Sequence, residues 1–313
     1  MRLQDIGNDA RRQYIDARAT FEAWEVARRQ AEEVRANLRW KGVGGAEYLV
    51  SARGRGEKSL GVRSPETEAI YDRHTTRKIA ARERLAALTA QLEQHRKLNR
   101  VFGVGRAPQI LVDILCKFDD LGFAEHFLMV GTHALYAYEA AAGVRFESAA
   151  LATRDLDLLW DTRKRIAFVA LMKMQQSTLL GALRQVDKSF DLHPDQPYTA
   201  VNKDGFEVDV IRREPKDLDP NPLYCSDDED DLYAVPAKRA NVLLSSPRMS
   251  AVIASASGHM ARMTTVSPLA FVAFKRWLAA QVDREGLKRR RDDLQADLVD
   301  ELISEYLPHL RLS

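Results

Sequence analysis

The 313-residue sequence predicts a mixed α/β fold of the α+β class, with a central sheet flanked by helical regions. Short apolar runs typical of strands alternate with longer helical patterns between residues 110 and 211. Turns that contain glycine or proline separate these segments. Apolar residues make up 45% of the chain and charged residues 29%, which is ordinary for a folded protein with a sizeable core.

The first hundred residues predict two long helices on either side of a β-hairpin. Residues 7–38 have the apolar spacing of a helix, and Ser64-Pro65 is a typical start for the second one. Between them, six glycines and a β-like segment predict a hairpin at about 40–62. We therefore expect residues 1–106 to form a basic helical extension that contains this hairpin.

The middle of the chain, residues 107–235, predicts the core. A glycine-containing linker at 103–109 precedes it, and a helix is predicted at 163–186. The predicted core strands are HFLMV (126–130), DLDLLW (155–160) and FEVDVI (206–211).

Residues 236–313 predict a C-terminal hairpin followed by a helical cap. MSAVIASASGHMARMTTV has the pattern of two strands, Ser267-Pro268 begins a helix, and a last helix runs over about 284–307. The acidic run Asp227–Asp231, just before this region, is expected to be solvated surface.

Charge is divided unevenly along the chain. Residues 1–106 carry 22 Lys and Arg against 14 Asp and Glu, a net charge of +8, whereas the remainder carries 25 against 31, a net charge of −6. This division favours a basic arm that meets a polyanion, attached to a body that holds cations. An ordinary arginine-rich helical surface explains the basic part equally well.

Other features bear on the compartment. No apolar run is long enough for a membrane span, and the polar N-terminus lacks the apolar stretch of a signal peptide. Cys116 and Cys225 lie far apart in dissimilar surroundings, which fits reduced thiols. We expect a cytoplasmic protein with no membrane partner.

Three aspartates predict a metal site. Asp155 and Asp157 point to one face of an extended strand, while Leu156 and Leu158 anchor the other face. Paired carboxylates repel each other unless they are solvated or bridged by a cation. Asp209 lies in another apolar strand, and if the two strands are neighbours, three carboxylates meet. Such a set suits Mg²⁺ and in-line phosphoryl transfer with two metal ions.

The same region offers a phosphate-binding turn and further polar residues. Gly131 and Thr132 stand at a junction of strand and helix, where backbone N–H groups and the hydroxyl can hold phosphate oxygens. Glu207 shares the face of Asp209 and is either a further ligand or a solvated edge carboxylate. His133 is interpreted as a residue that packs locally at the helix start.

These motifs carry a resemblance. Gly131-Thr132, then Asp155-Leu156-Asp157 on a strand, then Asp209 on a later strand resemble the nucleotidyltransferase superfamily related to DNA polymerase β, which usually has Gly-Ser or Gly-Gly at the first motif. The stretches KSLGVRSPETEAIY, VGTHALYAYEAAAGV and ATRDLDLL and the closing helices resemble bacterial nucleotidyltransferase-like proteins with an N-terminal helical extension.

The resemblance implies a nucleotidyltransferase-like core sheet and transfer of a nucleoside monophosphate from an NTP to a hydroxyl group, with release of pyrophosphate. Asp155 and Asp157 would bind two Mg²⁺ ions, for which Mn²⁺ can substitute. Asp209 would bind the catalytic ion and help to activate the acceptor hydroxyl. Gly131 and Thr132 would hold the triphosphate, and Lys275 matches a lysine that faces the phosphates in related proteins.

The acceptor is expected to be nucleic acid, such as a tRNA 3′ end, with a protein hydroxyl or a small molecule as alternatives. A set of basic residues beside Tyr48 is predicted to contact a nucleic-acid backbone, unless the hairpin only packs on neighbouring helices. This set consists of Lys41, Arg53, Arg55 and Lys58. A role as a toxin with an antitoxin partner, or in phage defence, fits the family's relatives. Two other classes remain open: a metal-dependent nuclease and a catalytically idle nucleic-acid-binding scaffold.

Overall fold

Mixed helix and sheet, the α+β class predicted from the sequence, is confirmed in a computed structural model that describes residues 3–53, 56–216, 219–228 and 230–311. The chain forms two units, one of residues 12–102 and the other of residues 1–11 with 103–313. Within the described ranges no single helix is long and apolar enough to cross a membrane. Among the same residues, the two helical segments 162–175 and 179–186 meet the length and composition of a span when they are taken together, but they are bent by 52° at the break between them.

The helices and strands are numbered in chain order. The helices are α1 (Asn8–Glu33), α2 (Pro65–Val101), α3 (Gln109–Leu121), α4 (Ala134–Ala142), α5 (Arg165–Gln175), α6 (Leu179–Val186), α7 (Ala240–Ser245), α8 (Pro268–Ala279) and α9 (Gly286–Tyr306). The strands are β1 (Leu3–Asp5), β2 (Asn37–Val43), β3 (Ala46–Arg53), β4 (Gly56–Val62), β5 (Phe127–Val130), β6 (Val144–Phe146), β7 (Asp155–Trp160), β8 (Asp191–His193), β9 (Gln196–Val201), β10 (Glu207–Arg212), β11 (Leu223–Tyr224), β12 (Tyr233–Pro236), β13 (Arg248–Ala254) and β14 (Met260–Val266).

In the unit of residues 12–102, α1 and α2 run antiparallel. Gln13 Nε2 donates a hydrogen bond to Asn99 Oδ1 at 3.0 Å, and Trp24 Nε1 donates to Thr89 Oγ1 at 3.1 Å. The Ser64 hydroxyl caps α2 as the sequence predicted, because Ser64 and Thr67 bond reciprocally through their side chains and backbone N–H groups.

The predicted hairpin is a larger element in the structure. β2, β3 and β4 form a three-stranded antiparallel sheet, so the region holds two hairpins instead of one. The first turn is Gly44-Gly45, where both residues have positive φ (59° and 82°). A two-residue hairpin turn of this kind favours glycine because other residues are strained there.

The second unit is built on a nine-stranded mixed sheet. Its main path runs β11-β12-β10-β7-β5-β14-β13, and β9, with β8 beside it, also pairs with β10. β7 and β10 are parallel neighbours in the middle of this sheet, and β5 lies antiparallel on the other side of β7. The β13–β14 hairpin predicted from the sequence is present.

Each face of the sheet carries its own apolar core. One core packs α3, α5 and α6 against residues such as Leu156, Leu158 and Val208. The other packs α4, α8 and α9 against residues such as Leu128 and Leu159. Because alternate residues of a strand face opposite ways, Asp155, Asp157 and Asp209 lie on the second face, that of α8 and α9.

The helix predicted at 163–186 is broken. α5 ends at Gln175, and the next residue, Gln176, has a left-handed φ of 52°. Thr178 then caps α6 by accepting a hydrogen bond from Gly181 N. The interpretation of the whole acidic run 227–231 as solvated surface was wrong for Asp231. This carboxylate is buried and accepts from Leu179 N and Leu180 N, because the unpaired N–H groups at the start of α6 need acceptors.

Candidate active site

Four carboxylates lie on one face of two neighbouring strands. In the parallel pairing of β7 with β10, Asp155 is opposite Glu207 and Asp157 is opposite Asp209. Residues two apart on a strand share a face, and paired residues of adjacent strands do so as well. The structure therefore brings the three predicted aspartates together, with Glu207 as the fourth member.

The apolar residues between the aspartates hold this arrangement in place. Leu156, Leu158, Val208 and Val210 are all fully buried in the core on the opposite face of the sheet. A slip of either strand by one residue would bring the acids into that core and expose the aliphatic side chains. The hydrophobic pattern of the two strands thus fixes the register that sets Asp157 beside Asp209.

Gly131 lies directly against the carboxylate of Asp157. It follows β5 and has a φ of 67°, and a Cβ built on it would lie 2.0 Å from Asp157 Oδ2. β5 ends with Val130 paired to Asp157, which brings the turn to this place. Glycine is therefore required here for two reasons, the left-handed backbone and the close approach of the carboxylate.

Burial and neighbouring negative charges raise the pKa of Asp157, Asp209 and Glu207. Burial, followed by the charge of Asp209, raises the pKa of Asp157 to about 7, with a further increase from Asp155. Burial is also the main cause of the raised pKa of Asp209, to which the charge of Asp155 adds. The pKa of Glu207 is raised by burial and by both of these aspartates. Such a concentration of partly desolvated negative charge is stabilised by a cation.

The four carboxylates do not form a preorganised metal-binding site. Among the described residues, no three carboxylate, imidazole or thiol groups are arranged so that they could hold a metal ion. Asp209 Oδ1 accepts a hydrogen bond from the buried Thr199 hydroxyl at 2.6 Å, while Asp157 Oδ2 rests against Gly131. The donor set nevertheless fits Mg²⁺ chemically, since it consists of carboxylate oxygens that repel one another in the absence of a cation.

The turn predicted to bind phosphate is present, but its Thr132 hydroxyl and His133 ring already form hydrogen bonds within the protein. Gly131–His133 forms one turn of 3₁₀-helix ahead of α4. Thr132 is buried, and its hydroxyl accepts a hydrogen bond from Gln295 Nε2 at 3.0 Å. His133 Nδ1 lies 3.0 Å from the Asp155 carbonyl, and burial lowers the His133 pKa to about 4. The imidazole is therefore neutral at pH 7 and donates to that carbonyl, which ties the turn to the start of β7.

Lys275 lies near the acids, but its ammonium group has a partner. It is 5% exposed and donates to Asp292 Oδ1 at 2.8 Å, and Arg284 binds the other oxygen of Asp292. Burial lowers the pKa of Lys275, while the charges of Asp292 and Asp157 oppose this shift. The structure thus places Lys275 within electrostatic reach of Asp157 and anchors its ammonium group on α9.

One functional candidate was missed at the level of sequence. Arg291, on α9, acts on Asp157 by charge and lowers its pKa. It lies within the basic run KRRRDD at 288–293, which reads as a solvated helix surface. Nothing in the run itself distinguishes Arg291 from its neighbours.

The basic residues predicted to contact nucleic acid do not share one face. Lys41 pairs with Tyr48 across β2–β3, and Lys58 pairs with Ser51 across β3–β4. Since Tyr48 and Ser51 are three positions apart on one strand, Lys41 and Lys58 point to opposite faces. The Lys41 ammonium also forms an ion pair with Glu57 at 2.8 Å. Of the other two, Arg55 and the side chain of Arg53 lie outside the described part of the chain.

A family model described as "Nucleotidyltransferase" matches residues 109–313, which include all four carboxylates, Gly131, Thr132 and Lys275. No curated protein and no solved structure matches the chain.

Proposed function

Since the chain belongs to this nucleotidyltransferase family through residues 109–313, we propose that it transfers a nucleoside monophosphate from an NTP to a hydroxyl acceptor in a Mg²⁺-dependent reaction. Family membership carries the general transferase activity. The observation that supports the specific reaction is the register that pairs Asp157 with Asp209 on adjacent parallel strands, with Asp155 on the same face.

In the proposed reaction, the acceptor hydroxyl attacks the α-phosphorus of the NTP, the bond to the bridging oxygen breaks, and pyrophosphate leaves. Asp209 takes the hydroxyl proton, a role supported by its raised pKa. Asp155, Asp157 and Asp209 would hold Mg²⁺, which would neutralise charge on the phosphates. Gly131 leaves room for the Asp157 carboxylate, and the turn at Gly131–His133 would supply backbone N–H donors to the developing charge.

Lys275 enters the proposal as a residue that acts through its charge on Asp157. Its ammonium group is held by Asp292, so it favours the ionised form of Asp157, which is the form that binds a cation. This differs from direct contact with the phosphates, because a buried and paired ammonium has fewer free donors.

A nucleic-acid acceptor is supported by the net charge of +8 on residues 1–106. The opposite orientations of Lys41 and Lys58 make a single flat docking face on the three-stranded sheet a poor explanation. A long helix with many arginines, such as α2, offers an alternative basic surface. The proposed acceptor is therefore a polyanion with an available hydroxyl, such as an RNA 3′ end.

The test is to incubate the purified protein with Mg²⁺ and each NTP carrying a radiolabelled α-phosphate, together with total RNA, DNA fragments and lysate protein. Label should appear in one acceptor fraction and should be lost in Asp157→Asn and Asp209→Asn. Asp293→Asn, which changes an exposed aspartate on α9, is the matched control and should retain activity. Cleavage of the nucleic acid without transfer of label would point instead to a nuclease. A cellular effect that survives Asp157→Asn would point to a scaffold.

A further inference from the structure

Arg291 is a part-buried cation that acts on Asp157 by charge but forms no direct ion pair with it. Its Nε is out of contact with solvent and has no hydrogen-bond partner. Among the residues that the structure describes, no carboxylate lies within ion-pair distance of Arg291, although the next residue, Asp292, binds both Lys275 and Arg284. Placing an arginine out of water is unfavourable unless an anion compensates its charge. The arrangement therefore leaves Arg291 without a direct ion pair, although Asp157 interacts with its charge from beyond ion-pair distance.

This group lies beside the predicted phosphate turn. Gln295 follows Arg291 by one helical turn, so the two side chains project from the same face of α9. Gln295 Nε2 donates to Thr132 Oγ1 at 3.0 Å and to the Ala150 carbonyl at 2.7 Å. The adjacent Gly131 touches the Asp157 carboxylate. Arg291 therefore lies one helical turn from Gln295, the residue that contacts the Gly131–Thr132 turn beside Asp157.

The neighbouring basic groups are already engaged. Lys275 and Arg284 share Asp292, and Arg289 donates to backbone carbonyls, including that of Gln281 at 3.1 Å. A guanidinium group offers a planar set of donors that matches two phosphate oxygens at once, whereas an ammonium group acts as a point charge. Arg291 therefore has the free donors and the location that Lys275 lacks.

We propose that Arg291 binds the triphosphate tail of the NTP, between the acidic face and the turn at Gly131–Thr132. This inference rests on the proposed function of the same site and assigns the direct phosphate contact to Arg291, with Lys275 as a positioning residue. The triphosphate supplies a directly bound anion, which the described part of the chain does not offer to Arg291.

The experiment measures binding of inorganic tripolyphosphate and of each NTP by calorimetry in the presence of Mg²⁺. Arg291→Met should raise the Kd for tripolyphosphate by about 10-fold or more, because a charge-assisted contact to phosphate is lost. Arg291→Lys should raise it by roughly 3-fold, since the charge stays but the paired donors do not. Arg290→Met, which removes the adjacent exposed arginine, should change the Kd by less than about 2-fold. Circular dichroism melting confirms that each variant is folded.

The outcomes separate the two proposals. Unchanged tripolyphosphate and NTP binding in folded Arg291→Met and Arg291→Lys overturns the phosphate assignment, even if the wild type transfers label. Equal weakening in Arg290→Met also overturns it, because the effect would then come from general surface charge. Binding of tripolyphosphate that depends on Arg291, in a wild type that transfers no label to any acceptor, supports the assignment and removes the proposed transfer reaction. Absence of any binding by the wild type overturns both.

Discussion

Gly131 leaves no room for a side chain beside Asp157, since a Cβ at this position would lie 2.0 Å from Asp157 Oδ2. Gly131→Ala should therefore displace the carboxylate as well as strain the backbone at φ 67°. We expect nucleotidyl transfer to fall by at least about 10²-fold, because small displacements of catalytic groups have effects of this size.

Gly143→Ala is the matched control for this substitution. Its φ of 68° is nearly the same, but the added Cβ meets only the flexible Arg11 side chain at 3.4 Å. The two alanine variants should lose similar stability in urea unfolding, whereas transfer activity should fall strongly only in Gly131→Ala. Equal activities in the two variants would contradict the role assigned to this contact.

Asp157 should make stability depend on pH in the absence of Mg²⁺. In the folded protein the Asp157 carboxyl stays protonated up to about pH 7, because its pKa is raised to about 7. In the unfolded chain the same carboxyl loses its proton near pH 3.8. More protons are then bound in the folded state between these values, so the free energy of unfolding falls as pH rises from about 4 to 7. Asp157→Asn removes the partly buried charge and should be more stable than the wild type at pH 8 by about 2 kcal/mol, with little difference at pH 4.

Urea unfolding at both pH values measures this effect. Asp293→Asn is the control, because Asp293 is exposed and its charge is not among those that shift the pKa of Asp157, so its replacement should alter the free energy of unfolding little at either pH. Added Mg²⁺ at pH 8 should stabilise the wild type more than Asp157→Asn. A loss of stability in Asp157→Asn at pH 8 would show that this carboxylate is well compensated in the absence of metal.

Thr199 should set the pH at which Asp209 becomes active. Its hydroxyl donates to Asp209 Oδ1 at 2.6 Å and lowers the pKa of that carboxyl against the effect of burial. Thr199→Val removes the donor at nearly constant volume, so the pKa of Asp209 should rise. The acidic limb of the pH–rate profile of nucleotidyl transfer should therefore shift to higher pH by about 1 unit.

Thr199→Ser keeps the hydroxyl and should leave the profile close to that of the wild type. The measurement is the initial rate of transfer between pH 5 and 9 at saturating NTP. A uniform loss of rate in Thr199→Val, with no displacement of the acidic limb, would assign Thr199 a packing role only.

Arg106 and Glu139 form a partly buried ion pair that should dominate the stability of the region around β6. The Glu139 carboxylate accepts two hydrogen bonds from the Arg106 guanidinium group and a third from Phe146 N at 2.7 Å. Arg106→Met leaves the carboxylate without its cation and should lower the free energy of unfolding by about 3 kcal/mol at pH 8.

The loss in Arg106→Met should be smaller at pH 5 than at pH 8, because burial raises the pKa of Glu139 once the opposing charge is gone. The double variant Arg106→Met with Glu139→Leu should recover most of the loss, since no unpaired charge remains. Urea unfolding of the wild type, Arg106→Met, Glu139→Leu and the double variant forms a double-mutant cycle. Additive effects on the free energy of unfolding would argue against direct coupling of the pair.

Local patterns predicted much of the fold. DLDLLW was predicted as a strand over the same residues that form β7, and the starts of α2 and α8 were marked by Ser64-Pro65 and Ser267-Pro268. These features depend on consecutive residues, through side-chain alternation and caps. The short strands β8, β11 and β12 were missed because a few residues carry too little periodicity.

The candidate site was predicted in part for the same reason. Alternation alone put Asp155 and Asp157 on one face, and the apolar strand around Asp209 made it the third member on the condition that the two strands are neighbours. The partners of other residues were not accessible from local pattern. Lys275 is engaged by Asp292, Asp231 binds the start of α6, and Lys41 and Lys58 face opposite ways.

The sequence by itself determined which side chains of each strand point together, because alternation along a strand requires no distant partner. Only the tertiary structure decided that β7 and β10 are parallel neighbours in a register that pairs Asp157 with Asp209. It also decided that Lys275 forms a direct ion pair with Asp292, whereas Arg291 acts on Asp157 only by charge. The reason is that strand order and charge pairing depend on the burial of segments far apart in the chain, which no single stretch of residues encodes.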